Sequence, residues 1–185
     1  MPWPGPSSQH KPKHNPRTKP HLLETWTSMT YLITQKLTHH IGISSFSPSQ
    51  LETLLNNTSH PPAAHQLKDL NPTSPQTDRL AWHEAAGIHV TSSAPLASSK
   101  TSPYYNSAAQ LLLGTSVLAR IARERSHCSS PAQVALAWAL RRGTSAVSSS
   151  GQKEVISEHF AALGCELLEE DIARIDALGL VSEGA

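Results

Sequence analysis

The chain has 185 residues, a formal net charge of +1 and only 16% charged residues. That balance supplies no basic face for nucleic acid or an anionic membrane surface, and no apolar run is long enough to span a bilayer. The length allows one domain with a real core, and with no apolar signal core at the N-terminus a cytoplasmic location is the default expectation.

Residues 1–21 hold six of the fourteen prolines, several basic residues and no acid. They read as an extended or disordered Pro-rich tail. His10, His14 and His21 are irregularly spaced and lack cysteine partners, so a solvated tail is expected rather than a metal site. Leu22, Leu23, Trp26, Met29, Leu32 and Ile33 recur at helical spacing, which predicts a helix over 22–37. His39 and His40 are adjacent, so their side chains point in different directions and cannot share a metal facially.

Ile41 to Phe46 is a short β-rich run. Ser47-Pro48-Ser49-Gln50 then carries a cap signal with Pro48 at the first helical position, and Leu51, Leu54 and Leu55 are expected to face inward. Ala63 to Leu67 is a further strand, and Asp78 to Ala86 a short helix stopped at Gly87. Ile88 to Thr91 alternates and is β-branched, as in a strand. Residues 92–107 form a polar loop, and Leu111 to Arg125 an amphipathic helix through Leu112, Val117, Leu118 and Ile121.

Ser129 to Gly143 reads as one complete helix. Ser130 is the N-cap, Pro131 sits at the first helical position and Gln133 completes a capping box. Arg141 and Arg142 suit the negative end of the helix dipole, and Gly143 can adopt the left-handed conformation that ends it. Between these caps the helix is apolar nearly all round, so burial on more than one side is expected. Thr144 to Ser149 is a last, polar strand. Val155, Ile156, Phe160 and Leu163 form one helical stripe. Ile172, Ile175 and Leu178 form another, ended by Gly179. Strands alternating with helices argue for parallel βαβ units. Cys128 and Cys165 make no disulfide framework and are expected as two reduced thiols.

The run Ser130-Pro131-Ala132-Gln133-Val134-Ala135-Leu136-Ala137-Trp138 resembles the aldo-keto reductases. Ile41-Gly42-Ile43-Ser44-Ser45-Phe46-Ser47, Gly87-Ile88-His89-Val90-Thr91 and Leu168-Glu169-Glu170-Asp171-Ile172-Ala173-Arg174-Ile175-Asp176 support the match, in the family's order and near its spacing. The resemblance runs from about Leu22 to Leu178. It implies an α/β fold, a partial (β/α)8 TIM barrel with about four parallel strands and outer helices over 22–185. A complete barrel takes about 250 residues, so the expected shortfall lies at the front.

The resemblance also implies an NADP-dependent oxidoreductase of carbonyl or alcohol groups on small molecules, in settings such as specialised-metabolite pathways. In that family a Tyr serves as general acid, tuned by a Lys and an Asp, and a His orients the carbonyl. The Asp, Tyr and Lys belong to the barrel's first half and match nothing here, so no catalytic residue is assigned. Pro2-Trp3-Pro4 resembles the His-Trp-Pro that ends the family's fourth strand, with Pro2 in the histidine's place. Tyr31, Tyr104 and Tyr105 match nothing catalytic and read as packing or surface residues.

Cofactor-binding positions are kept only in part. Ser44 and Gln66 match residues that hold the nicotinamide amide. Pro95 and Leu96 match the loop after the seventh strand. Ser150 matches a phosphate contact, and Glu158 a residue near the adenine. Ser45 and His65 replace asparagines, Ser93 replaces a stacking Tyr, and His159 replaces an Asn. Ser148-Ser149-Ser150 stands for Pro-Lys-Ser, and Val155 for an Arg that grips a phosphate. Two lost charge-assisted contacts cost about 1.5–3 kcal/mol each and a lost stack about 1 kcal/mol. Binding is then weakened by at least about a hundredfold. A truncated chain with little or no intrinsic activity is therefore expected. An open half-barrel leaves two sheet edges, so a homodimer or a complementary half-barrel is the expected partner. The alternatives are a non-catalytic protein-binding module, or a truncated gene product with no role.

Overall fold

The computed structural model describes residues 22–97 and 112–182. The Pro-rich tail, Pro2, Tyr104, Tyr105 and the expected helix start at Leu111 lie outside them. Four short strands, β1 (Gly42–Ser44), β2 (Ala64–Leu67), β3 (His89–Ser92) and β4 (Ser145–Ala146), run in that order in one sheet. β1 pairs parallel with β2 and β3 parallel with β4. Helices separate the strands: α1 (Leu22–Thr34), α2 (Pro48–Asn56), α3 (Thr77–Ala85), α4 (Ser116–Glu124), α5 (Pro131–Arg141), α6 (Lys153–Phe160) and α7 (Glu169–Ser182). This is the expected α/β arrangement of parallel strands with outer helices. The chain divides into two compact units, residues up to Gln66 with Thr77–His89, and Leu67–Gln76 with the residues from Val90 onward.

The first unit is held by a small apolar cluster of Trp26, Ile41, Ile43, Leu51, Leu54 and Ile88. The alternation of β1 puts Ile43 inside, and the spacing of Leu51 and Leu54 puts one face of α2 against it. Trp26 is buried, and its Nε1 donates to Thr58 Oγ1 at 3.1 Å and to the His60 carbonyl at 3.0 Å, so its one polar atom is satisfied. The start of α2 forms a full capping box between Ser47 and Gln50, with Pro48 just inside. Gly42 is required by close approach, because a Cβ there would stand 2.7 Å from the Ala64 carbonyl oxygen. α3 is followed by Gly87 at φ +68, the left-handed stop expected there.

The second unit is organised around α5. Every residue from Ala132 to Ala139 is buried, which matches a helix apolar nearly all round. Trp138 is wholly buried, and its Nε1 donates to Asp176 Oδ1 at 2.7 Å. The Arg142 guanidinium lies over the same indole, 5.0 Å from the ring centroid, and also pairs with Asp176 at 2.9 Å. Leu118 and Ile121 of α4, Ala162, Leu167 and Ile175 complete the core.

Several expectations change in this unit. The amphipathic pattern over 111–125 is broken at Gly114 and Thr115, so α4 begins at Ser116. The capping box of α5 is half made. Ser130 Oγ accepts from the Gln133 N–H, but Gln133 Oε1 accepts from the Ser129 N–H at 2.6 Å. The reason is that Gln133 Nε2 is turned to the Glu158 carbonyl at 3.0 Å. The polar strand keeps only Ser145–Ala146 in register. The Val155 stripe is not a core face: α6 has no buried residue, and Ile156, Phe160 and Leu163 are 54%, 74% and 66% exposed. Gly179 does not end the last helix, which continues to Ser182.

The two cysteines are not free thiols. Cys128 and Cys165 form a disulfide with Cα atoms 4.8 Å apart. Their 37-residue separation gave no pairing signal in the sequence; the return of η1 (the 3₁₀ turn Ala161–Gly164) onto α5 brings them together.

Candidate functional site

In parallel α/β sheets, binding groups gather at the carboxyl ends of the strands. Three of the described strands are followed there by a non-glycine residue in the left-handed region: Ser45 after β1, Asp69 after β2 and Ala97 after β3, with φ of 58, 56 and 54. Such conformations cost free energy and mark tight chain reversals.

Ser44 and Gln66 are register partners on β1 and β2. The Ser44 hydroxyl donates to Gln66 Oε1 at 3.1 Å, so the two residues matched to a nicotinamide amide do meet. The contact leaves both Gln66 amide hydrogens available, and Ser44 Oγ, which accepts from the Ser45 hydroxyl at 3.5 Å, keeps one lone pair. A carboxamide presents one acceptor and one donor edge, and this donor set complements it.

The other matched residues stand differently. Pro95 and Leu96 are buried in the turn after β3, and Leu96 belongs to the apolar core of the second unit. Ser93 Oγ is bound to the Leu67 carbonyl at 3.1 Å. Ser150 Oγ accepts from the Gln152 N–H at 3.1 Å, closing a short turn before α6. The Glu158 carboxylate is engaged by the Ser130 hydroxyl, so it braces the start of α5. Val155 is half-buried and offers no charge where the resemblance implies an Arg. The phosphate positions keep the Ser150 hydroxyl but no cation, so they fit a phosphate only weakly, whereas the Ser44–Gln66 pair fits an amide.

The sequence reading missed the most unusual polar feature. His65 and His83 are both fully buried in the first unit, with His65 Nδ1 and His83 Nε2 2.8 Å apart. The hydrogen-bond network fixes their protons. The Phe46 N–H donates to His65 Nε2 at 3.2 Å, so that nitrogen is unprotonated. The Arg79 carbonyl can only accept, so His83 Nδ1 carries a proton toward it at 2.6 Å. His65 Nδ1–H must then donate to His83 Nε2, and both rings are neutral. Burial is the main reason that His65 has a pKa lowered to about 4, followed by the charges of His83 and Arg79. Burial also lowers His83, against the raising effect of its bond to the Arg79 carbonyl and with the help of the Arg79 charge. The available signal was the strand alternation, since His65 occupies the same inward face of β2 as Leu67.

Among the described residues no helix is long and apolar enough to cross a membrane, and no three His, Cys, Asp or Glu side chains converge as a metal site. Comparison with known proteins supplies the family. The pattern of the Aldo/keto reductase family matches residues 3–179. An uncharacterized oxidoreductase of Schizosaccharomyces pombe is 32% identical over 157 residues, covering 85% of this chain and 47% of the relative. The structure of an aldose reductase from Giardia lamblia superposes with a TM-score of 0.75 at 27% identity, over 89% of this chain and 52% of that one. An aldo-keto reductase solved as its NADPH complex gives a TM-score of 0.71 at 25% identity, over 84% and 47%. The chain thus spans about half the length of the curated relatives it matches. Its strand order, its α5 sequence and this match over nearly all of its length lead to one statement of kinship: the chain belongs to the aldo/keto reductase family.

Proposed function

We propose that this chain takes part in NADP-dependent interconversion of carbonyl and alcohol groups on small molecules, with Ser44 and Gln66 holding the cofactor's amide. The observation that carries this reading is the 3.1 Å hydrogen bond between Ser44 Oγ and Gln66 Oε1. It fixes the Gln66 amide so that its N–H groups are presented as donors, with the Ser44 oxygen beside them as acceptor. The bound cofactor would supply the hydride; the residues here bind and orient its amide. The family supports the assignment, and so does the NADPH bound to one structural neighbour.

The phosphate end argues for a weak grip. Ser149 and Val155 replace the two cations implied by the resemblance, and Glu158 is already engaged with Ser130. The 185-residue chain by itself therefore has little or no turnover, and its substrate class extends no further than small carbonyl compounds, with specialised metabolites as one setting. Titration of the chain with NADPH, followed by cofactor fluorescence, tests this. Weak saturable binding is expected, and Ser44→Ala or Gln66→Ala should weaken it roughly fivefold, the value of one neutral hydrogen bond. Equal binding by both variants and the parent would remove the pair from the site. Rapid NADPH-dependent reduction of a simple aromatic aldehyde by this chain would overturn the low-turnover expectation.

One observation favours a second reading, a homodimerising module. Ile156, Phe160 and Leu163 present an exposed apolar stripe with helical spacing. Sedimentation at micromolar concentration should show a dimer that Phe160→Glu dissociates; a monomer in both proteins removes this reading.

A further inference from the structure

The amide site and the buried histidine pair share one strand. His65 and Gln66 are consecutive on β2, and each meets the turn that follows β1. That strand ends at Ser44, the register partner of Gln66. Ser45 then turns in the left-handed region at φ 58, a conformation that a non-glycine residue keeps only where its surroundings hold it. The next three N–H groups are each bound. Ser45 N–H donates to the Gln66 carbonyl at 3.0 Å, Phe46 N–H to His65 Nε2 at 3.2 Å and Ser47 N–H to Gln50 Oε1 at 2.9 Å. The Ser47 bond is exposed, so water can replace it. The Phe46 bond ends on a ring that is wholly buried, where a lost partner is not made good by solvent.

We propose that His65 is a positioning residue of the amide site: by accepting the Phe46 N–H, its buried ring holds the Ser45 turn that presents the Ser44 hydroxyl to Gln66. The inference rests on the reading of Ser44 and Gln66 as the holders of a carboxamide. It gives His65 no contact with the ligand; the ring acts through Phe46, Ser45 and Ser44 in turn.

A positioning group must itself be held, and α3 holds this one. His65 Nδ1 stands 2.8 Å from His83 Nε2, and His83 Nδ1 is fixed on the Arg79 carbonyl at 2.6 Å. The His65 ring therefore cannot swing away from Phe46 without giving up its bond to His83. A pair that served only to pin α3 onto β2 would need no acceptor at His65 Nε2, since the other two bonds already make that link. The bond to Phe46 carries the fixed ring across to the turn after β1, and that turn borders the amide site. The same β2 segment thus reaches Ser44 twice, through the Gln66 side chain at 3.1 Å and through the neighbouring ring.

The test begins without ligand, on the isotope-labelled chain at neutral pH, with the nuclear magnetic resonance signals of the Phe46 amide and the Gln66 carboxamide. Ser44→Ala marks where the Gln66 signals lie once the Ser44 bond is gone. His65→Leu keeps apolar bulk and removes the acceptor. Exchange of the Phe46 amide should quicken at least about tenfold, and the Gln66 signals should move to their Ser44→Ala position. His65→Gln, whose Oε1 reaches about as far as Nε2, should restore both. Should His65→Leu lose the far-UV circular dichroism of the parent, His65→Asn replaces it with the same expectation, because its amide stops short of Phe46. NADP+ is then the binding probe. Ser44→Ala, His65→Leu and the double variant should each weaken it by one common factor, roughly fivefold, because His65 acts only through Ser44. Gln66 signals that stay in place without the acceptor, no restoration by His65→Gln, or a double variant weaker than either single one would each overturn the proposal. Signals that move as expected while no variant alters NADP+ affinity would remove Ser44 and Gln66 from the cofactor site, yet uphold His65 as the group that sets Ser44.

Discussion

The two units bury different polar groups. Around α5 the interior is largely apolar, and its one buried carboxylate among the described residues, Asp171, is ion-paired with Arg125 at 2.6 Å. Beside Ile43 the first unit buries two imidazoles and uses three hydrogen bonds to keep them neutral. An apolar interior owes its stability to area removed from water and changes little with pH. A buried histidine pair ties stability to the proton concentration. The first unit's stability thus turns on protonation between pH 6.5 and about 4, and the second's, through the buried Asp171 carboxylate with its lowered pKa, only in stronger acid.

The largest expected effect breaks the packing side. Trp138→Ala leaves a cavity beneath α5 and strands Asp176 and Arg142, and should cost roughly 3–5 kcal/mol. Urea unfolding followed by hydrogen exchange should place the loss in residues 112–178. A loss confined to residues 22–66 would contradict the division.

Acid should break the other side first. A histidine whose folded pKa lies below its unfolded value of about 6.5 releases its proton on folding. The unfolded chain binds more protons between those two values, so stability is complete above pH 6.5. It falls as pH drops toward the folded value of about 4 for His65, and levels off below it. The full loss from His65 alone is about 3 kcal/mol, and His83 acts in the same direction. Urea midpoints at pH 7 and pH 4.5 should differ accordingly, and His65→Asn should flatten the slope. An identical slope in parent and variant would mean that other groups set it.

Gly42→Ala sharpens the comparison at the level of the strands. The added methyl meets the Ala64 carbonyl at 2.7 Å, so β1 must separate from β2 at a cost of about 1–3 kcal/mol. Amide protection should fall in 42–44 and 64–66 while α5 stays protected. Ser45→Gly acts in the opposite sense. It removes the left-handed strain at φ 58 and should raise stability by roughly 0.5 kcal/mol, after the entropy that glycine gains in the unfolded chain. A drop in melting temperature would show that the Ser45 side chain does more than tolerate its turn.

The same contrast governs what could be read from the residues. α5 was legible because Ser130, Pro131 and Gly143 punctuate it and its apolar sequence can only be buried. β1, β2 and β3 were legible from β-rich runs and from kinship. The outward stripe Ile156–Phe160–Leu163 was not, because periodicity gives a face and not its direction. Gln133 was misplaced within its cap because its partner Glu158 is distant in sequence. Ser44 and Gln66 were each singled out by family position, and their hydrogen bond to one another was not foreseen. His65 was read only as a lost asparagine, since nothing local to it announces His83. The disulfide was missed for the same reason: it depends on how η1 returns to α5.

The histidine pair also has a polarity. It begins at a backbone N–H, which can only give, and ends at a backbone carbonyl, which can only receive. Each proton is thereby pinned to one nitrogen, and the alternative arrangement would set a donor against a donor at Phe46. The clasp between β2 and α3 therefore has one sense only, and reversing it would cost the hydrogen bond at Phe46.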